Sequence, residues 1–142
     1  MDCNVKWVNE EKILRTITSL EKNNMNGYLV KSKEELIDKI ISLTNKGEKV
    51  SCGGSMSLVE TGVMDLLRSG RYEFLDRAKE GLSIEDIDRI YRECFFTDTY
   101  FSSSNAITED GELYNVDGNG NRVAAMLYGP DKVIVIAGVL VK

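Results

Sequence analysis

The stretch VSCGGSMSLVETG, residues 50–62, runs from a short strand-like segment through two glycines into a segment typical of a helix. In a parallel α/β sheet, the loop that leaves the carboxyl end of a strand lies at the edge where ligands bind. Gly53 and Gly54 permit a positive φ and a close backbone approach, and a helix start offers free N–H groups. The stretch therefore predicts a pocket for phosphate, pyrophosphate or carboxylate groups, with Ser55 and Ser57 as hydroxyl donors.

The same residues also have a purely structural interpretation. Glycines are common in strand-to-helix turns, and the spacing of Ser57 and Glu60 fits a capping box. Glu60 would otherwise be an active-site carboxylate. Cys52, at the strand end, is either a thiolate stabilised by the helix start or a buried inert thiol. The loop matches neither the Walker nor the Rossmann glycine motif.

Helical and strand-like segments alternate along the whole chain. The predicted helices cover about residues 9–25, 32–45, 58–68, a segment opened by Ser83 with Asp86 at the capping-box position, and 121–128. The predicted strands are GYLVK, KVSC, RYEFLDR, TDTYFSSS and KVIVIAG. The last is almost wholly apolar, as in strands covered on both faces. This alternation predicts one α/β domain over residues 1–142 with a mostly parallel sheet.

A β-hairpin near residues 107–116 interrupts this alternation, because Asp110-Gly111 is a strong turn signal between two short extended arms. It leads into NVDGNGNRV, residues 115–123, a second glycine-rich approach to a helix. Arg122 can bind a carboxylate or phosphate through two hydrogen bonds, and Asp117 can accept ligand hydroxyls or hold Arg122 in place.

The structural alternative is equally strong for this second loop. Asn119 or Asn121 can cap the following helix, and Asn and Asp side chains shape tight turns. Asp117 and Arg122 would then form an internal pair that only shapes the loop. The residues alone leave a shaped turn and a ligand contact evenly balanced.

Composition limits the class of protein. A chain of 142 residues suits one domain with a sizeable core. The net charge of −5 disfavours non-specific nucleic-acid binding. The longest apolar run, residues 133–141, is too short to cross a bilayer, and the N-terminus does not resemble a signal peptide. We expect a cytoplasmic protein that binds neither nucleic acid nor membrane.

Residue types that the sequence lacks limit its chemistry as well. There is no histidine, which excludes His-based triads and His metal ligands in this chain. The three cysteines form no C-x-x-C pair, which argues against a disulfide framework and a zinc site. We expect no resident metal or cofactor.

Two segments carry a family resemblance. SNAITEDGELYNVDGNGNRVAAMLYGPDKVIVIAG, residues 104–138, resembles the signature of the LUD domain, the lactate-utilisation family. GGSMSLVETGVMDLL, residues 53–67, resembles that family's upstream glycine–serine loop and helix. The resemblance implies a Rossmann-like sheet similar to the sugar-phosphate isomerase and CoA-transferase superfamily, which includes a formyltetrahydrofolate cyclo-ligase. In that superfamily the glycine–serine loop binds phosphate or CoA-type groups.

The resemblance also implies site residues. The motif positions of the first loop are Gly53, Gly54, Ser55, Ser57 and Glu60. Those of the second region are Asn105, Thr108, Asp110, Gly111, Asn115, Asp117, Gly118, Asn119, Gly120, Asn121 and Arg122. We expect Glu60 and Asp117 to handle protons or hydroxyls. The others, apart from the hairpin turn Asp110-Gly111, are expected to bind an anionic small molecule.

Family members usually continue past the IVIAG strand with an Asn-Lys pair and further polar residues, and some carry a cysteine-rich extension for an iron–sulfur cluster. This chain reads AGVLVK and ends. We expect a shortened member in which part of the pocket is missing and uncovered surface favours a homo-oligomer. The functions left open are a ligand-binding enzyme subunit, a non-catalytic assembly or regulatory subunit of a lactate-oxidising system, and a remnant that keeps only the fold.

Overall fold

The computed structural model describes residues 3–138, with side chains from residue 8 onward. Its helices are α1 Cys3–Lys22, α2 Lys33–Leu43, α3 Met56–Glu60, α4 Val63–Leu67, α5 Ile84–Glu93 and α6 Asn121–Leu127, and a 3-10 turn spans Cys94–Phe96. Its strands are β1 Lys49–Cys52, β2 Glu73–Phe74, β3 Thr99–Ser102, β4 Ala106–Ile107, β5 Leu113–Tyr114 and β6 Lys132–Val135. The expected shortening of the C-terminus bears on residues 139–142, which lie outside the described residues.

Four of the strands form one parallel sheet in the order β2-β1-β3-β6. Val50 of β1 pairs with Phe74 on one side and with Thr99 on the other. Because all four strands run in the same direction, their carboxyl ends meet at one edge, called here the carboxyl edge. β2 and β3 lie on opposite sides of β1, so the strand order reverses beside β1. This is the switch point at which open α/β sheets form a ligand crevice. The predicted α/β fold with a mostly parallel sheet is confirmed.

Helices cover both faces of this sheet. On one face Val50 and Phe101 pack in a core cluster with residues of α2, α3 and α4. On the other face Tyr100 packs against Cys94, at the end of α5, and Ala125 of α6. β6 contributes to both faces, with Val133 and Ile134 on opposite sides. The expectation for KVIVIAG is therefore confirmed, although every β6 residue stays half-buried because β3 is its one neighbour in the described chain.

The predicted hairpin is confirmed and packs against α1. β4 and β5 pair antiparallel, with Ala106 opposite Tyr114. Gly111 turns the chain with φ +81°, and a Cβ there would lie 2.7 Å from the backbone of Ser19. Asn23 fixes the contact, since its Nδ2 donates to the carbonyl of Gly111 at 3.0 Å.

GYLVK, RYEFLDR and the helix predicted over 58–68 differ from the structure in extent or type, and the strands predicted as TDTYFSSS and KVIVIAG are shorter than predicted. GYLVK forms no strand, because this segment packs on α1 instead, where a Cβ on Gly27 would lie 2.9 Å from Ile17. RYEFLDR keeps only two strand residues, since Asp76 turns the chain by accepting the backbone N–H of Ala78 at 3.0 Å. The helix predicted over 58–68 is two short helices, divided at Gly62 with φ +82°. No helix within the described residues is long and apolar enough to span a membrane.

Candidate functional site

The loop after β1 enters α3 through Ser55, not through Ser57. The Ser55 hydroxyl oxygen accepts the backbone N–H of Ser57 at 3.1 Å, and helical geometry begins at Met56. The predicted Ser57–Glu60 capping box is therefore wrong, because the helix starts before Ser57. Glu60 is the last residue of α3 and is exposed. Its predicted role as an active-site carboxylate stays a prediction.

Gly53 and Gly54 are needed for close packing and not for backbone conformation. Neither has a positive φ, so that part of the prediction is wrong. A Cβ on Gly53 would lie 2.8 Å from Cδ of Arg122 and 3.1 Å from the hydroxyl of Tyr100. A Cβ on Gly54 would lie 2.1 Å from Nη2 of Arg77. The predicted close approach is thus made by two arginine side chains, and the two glycine-rich loops meet at the carboxyl edge.

Arg122 is the centre of a hydrogen-bond network within the second loop. Its Nε donates to Oδ1 of Asp117 at 2.9 Å. Nη1 donates to Oδ1 of Asn115 at 2.8 Å and to the carbonyl of Ser103 at 2.9 Å, and Nη2 donates to Oδ1 of Asn105 at 3.0 Å. The side chains of Arg122 and Asp117 are only 13% and 10% exposed. This is the internal pair that the sequence offered as the structural alternative, now extended to two asparagines.

Asp117 also caps α6. Its Oδ2 accepts the backbone N–H of Val123 at 2.7 Å, while the N-cap position is Gly120, with φ +77° and no side chain to offer. The predicted caps Asn119 and Asn121 are therefore wrong, because the carboxylate of Asp117, three residues before the N-cap, takes that role. Both Asp117 oxygens are occupied by protein donors, and its predicted catalytic role stays a prediction.

The remaining predicted residues occupy two other places. Thr108 lies at the base of the hairpin turn, where its hydroxyl oxygen accepts the backbone N–H of Glu112 at 3.1 Å. Gly118 and Asn119 lie with Gly120 at the exposed tip of the second loop, and a Cβ on Gly118 would meet no atom within 4 Å. The structure thus brings Asn105 and Asn115 to Arg122, leaves the 118–120 tip exposed and places Thr108 in the hairpin.

Sequence reasoning missed two residues at this edge, Arg77 and Tyr100. Arg77 follows the end of β2, and its guanidinium lies over the ring of Tyr91, 5.6 Å from the centroid. Tyr100 belongs to β3, and its hydroxyl lies beside Gly53. Their signal was that Arg77 follows β2 and Tyr100 lies within β3, the two strands next to β1. That signal depends on strand order, which the sequence does not display.

The two thiols near the site are inert. Burial raises the pKa of Cys52 to about 11, and it raises the pKa of Cys94 as well. A thiol with such a pKa is protonated at neutral pH and is a poor nucleophile. Cys52 is buried, as the second interpretation requires. Within residues 8–138 no three Cys, Asp or Glu side chains are arranged to hold a metal ion.

A polar depression at the opposite, amino edge of the sheet is internally paired. Glu48 accepts the hydroxyl of Thr99 at 2.8 Å and lies 3.7 Å from Nζ of Lys132. Asp98 accepts the backbone N–H of Lys49 at 2.8 Å. These contacts join the starts of neighbouring strands to one another. The polar residues of the amino edge therefore have a structural role.

The fold and the carboxyl edge define a class: an α/β protein with a Rossmann-like parallel sheet and its candidate site at the strand switch point. A family model described as the LUD domain matches residues 13–140. The chain therefore belongs to the LUD domain family, which relates it to lactate utilisation. No curated protein and no solved structure matches the chain. The likeness to sugar-phosphate isomerases and CoA transferases stays a prediction.

Proposed function

We propose that this LUD domain binds an anionic small molecule at the carboxyl edge, as a ligand-binding or catalytic subunit in lactate utilisation. The carboxylate, phosphate or CoA-type group of the ligand would lie where the β1 loop meets the Arg122 loop. The observation that carries this proposal is the contact of Gly53 with the side chain of Arg122, which joins two separately predicted loops at the switch point.

The charges around this contact support an anion. Asp117 already neutralises Arg122, at 2.9 Å, but Arg77 adds a further positive charge beside Gly54. If the site performs proton transfer, Glu60 is the one of the two predicted carboxylates whose oxygens are free for it. It is exposed and makes no side-chain hydrogen bond within residues 8–138, whereas both Asp117 oxygens are bonded.

The test is a thermal titration of the purified protein with acetate, inorganic phosphate and coenzyme A at constant ionic strength. A ligand present at 100 times its Kd stabilises the folded state by about 2.7 kcal/mol, which raises the melting temperature by several degrees. Arg92→Met is the control for non-specific binding of anions to surface charge. It removes an exposed positive charge from α5, on a residue paired with Asp88, and should respond to the ligands as the wild type does. If none of these anions raises the melting temperature at millimolar concentration, the proposal is wrong for these ligand classes.

A second candidate function, an assembly or regulatory subunit of a lactate-oxidising system, is favoured by one surface feature. Phe96, Leu127 and Tyr128 are 82%, 80% and 84% exposed and line one groove. Contiguous exposed apolar side chains mark protein–protein contact surfaces in soluble proteins. The groove lies between the 3-10 turn and the end of α6, apart from the contacts of Gly53 and Gly54.

Light scattering after size exclusion, together with copurification with lactate-oxidation proteins, tests this second function. Leu127→Gln should abolish any complex formed through the groove. Ile84→Gln is the matched control, since Ile84 is 83% exposed but does not line the groove. A protein that stays monomeric and ignores those partners would exclude the assembly function.

A further inference from the structure

Arg77 presents a guanidinium group that has no carboxylate within 4 Å in the described part of the chain. Its Nη1 donates to the hydroxyl of Tyr91 at 3.2 Å, and the group lies over the Tyr91 ring. The Nη2 end lies over Gly54. An aromatic ring thus holds the guanidinium in place, while most of its N–H donors lack an acceptor among residues 8–138.

Tyr100 is 2% exposed, yet its hydroxyl forms no hydrogen bond with residues 8–138. In that range every side-chain nitrogen or oxygen that is sealed from solvent has a partner, so the Tyr100 oxygen reaches the surface at the end of an enclosed side chain. It points to the Gly53 turn, 3.1 Å from where a Cβ would lie. The hydroxyl thus has no acceptor among residues 8–138 and can donate to a ligand that lies beside Gly53.

The two groups act on the same point of the edge. Tyr100 reaches Gly53 and Arg77 reaches Gly54, the next residue. Burial raises the pKa of the Tyr100 hydroxyl above its usual range, and the positive charges of Arg77 and Arg122 partly oppose the rise because they lie nearby. The Tyr100 hydroxyl is therefore protonated at neutral pH and can donate a hydrogen bond.

The edge offers one positive charge to a ligand. Asp117 pairs with Arg122 at 2.9 Å, and Asp76, the neighbour of Arg77, pairs with Arg68 at 2.8 Å. Arg77 is left with an uncompensated charge and a planar fork of donors. Such a fork matches the geometry of a carboxylate and of a phosphate. The single negative charge of a carboxylate equals the single positive charge of Arg77. Phosphate groups carry close to two negative charges at pH 7.

We propose that Arg77 and Tyr100 together bind the carboxylate of a small monocarboxylate ligand at the carboxyl edge, beside Gly53 and Gly54. This assignment rests on the proposed ligand-binding function and narrows it to one ligand class and two residues. Arg122 then has a positioning role, because its stem forms the wall beside Gly53 while its guanidinium holds the second loop.

The experiment follows backbone amide chemical shifts while the full chain is titrated with sodium acetate, and separately with sodium phosphate, at constant ionic strength. Acetate should shift the Gly53 and Gly54 amides. Arg77→Met should lower the acetate affinity at least 100-fold, because it removes two charge-assisted hydrogen bonds, and Tyr100→Phe should lower it about tenfold. Tyr100→Phe should keep the wild-type melting temperature, since the hydroxyl has no protein partner in the described chain.

Two matched controls, Arg92→Met and Tyr114→Phe, change exposed residues of the same types and should bind acetate as the wild type does. If phosphate binds and acetate does not, the proposed anion-binding function stands and the monocarboxylate assignment is wrong. If acetate binds equally to Arg77→Met and Tyr100→Phe, the assignment of these residues is wrong. If neither anion binds, the monocarboxylate assignment is wrong; if coenzyme A does not bind either, both proposals fail.

Discussion

Two arginines at the carboxyl edge contact consecutive glycines and differ in how their charges are satisfied. Arg122, beside Gly53, is surrounded by a carboxylate, two asparagine side chains and backbone carbonyls. Arg77, beside Gly54, has an aromatic ring and one hydroxyl. The two arginines differ because the surrounding loop supplies acceptors to Arg122 and few to Arg77. Arg122 holds the second loop together and is called here a structural tie, whereas Arg77 has unpaired N–H donors in the described chain, which we propose bind a ligand.

The loops explain this difference. The segment from Asn105 to Asp117 returns alongside α6 and brings three side-chain acceptors to one guanidinium. The segment after β2 instead directs its carboxylate, Asp76, to Arg68 and leaves Arg77 without a counter-charge. The Asn and Asp residues of the second loop, which the sequence offered as ligand contacts, thus form hydrogen bonds within the protein.

Replacing Arg122 by methionine should have the largest effect on stability. It leaves the enclosed carboxylate of Asp117 without its partner, and we expect the free energy of unfolding to fall by about 3 to 5 kcal/mol. Urea denaturation followed by circular dichroism measures the loss. Arg92→Met is the control, since the exposed Arg92–Asp88 pair should contribute below about 0.5 kcal/mol. Equal losses in the two variants would contradict the structural role of Arg122.

Alanine substitutions at Gly53 and Gly54 should lower stability by different amounts, because Gly53 lies beside Arg122 and Gly54 lies beside Arg77. Gly53→Ala places a Cβ 2.8 Å from the Arg122 stem, which the network holds in place, and should cost about 1 to 3 kcal/mol by overpacking. Gly54→Ala meets only the flexible end of Arg77 and should cost below about 0.5 kcal/mol, while weakening acetate binding.

Gly118→Ala is the reference for this pair, since its Cβ would meet nothing within 4 Å. The same denaturation curves apply to all three variants. A larger loss for Gly54→Ala than for Gly53→Ala would reverse the comparison and show that Arg77 is the more rigid of the two arginines.

Arg77→Met should change stability little. The variant loses the interaction of the guanidinium with the Tyr91 ring, which is worth about 0.5 to 1 kcal/mol at a partly exposed site. Chemical denaturation beside Arg122→Met provides the comparison on one scale. A loss as large as that of Arg122→Met would mean that Arg77 is also a structural tie, and it would remove the basis for a ligand role.

The smallest effect is expected from pH, at the pair beside Arg77. The hydrogen bond from Arg68 lowers the pKa of Asp76 below its usual value. A carboxyl whose folded pKa is lowered stabilises the protein above its unfolded pKa of about 3.9 and loses that contribution as pH falls through the folded pKa. Asp76→Asn should therefore cost below about 1 kcal/mol at pH 6, and the difference from wild type should vanish in acid.

Thermal unfolding of wild type and Asp76→Asn at pH 6, 4 and 2.5 measures this difference. Arg68→Met should show the same pH dependence, because it removes the other partner of the pair. A difference that grows as pH falls would have the wrong sign for a lowered pKa.

Local signals predicted the parts of the fold that depend on neighbouring residues. Ser83 and Asp86 form the predicted capping box, and Asp110-Gly111 turns the predicted hairpin. β1 begins and ends where KVSC indicated. Each of these features is decided by backbone conformation and hydrogen bonds within a few residues, so the printed sequence contains all of the determinants.

Predictions failed where another contact competed with the one that the local pattern indicated. GYLVK has strand-forming residues, but it packs on α1. Ser57 has capping-box spacing, but Ser55 begins the helix first. Asn119 and Asn121 are good cap residues, but Asp117 reaches the helix start while it also binds Arg122. The two predicted loops meet at the carboxyl edge, whereas the positions of Arg77 and Tyr100 beside them were not predicted.

By itself, the amino-acid sequence determined the α/β class, the carboxyl-edge position of the Gly53-Gly54 loop and the family. These follow from local periodicity, turn residues and a long motif. Only the tertiary structure decided which arginine is free, because hydrogen-bond satisfaction depends on the acceptors that the folded chain brings within 3 Å or so of a donor. Asn105 and Asp117 lie 17 and 5 residues from Arg122 in the chain and meet it in space, whereas within residues 8–138 the guanidinium of Arg77 has the Tyr91 hydroxyl as its one acceptor.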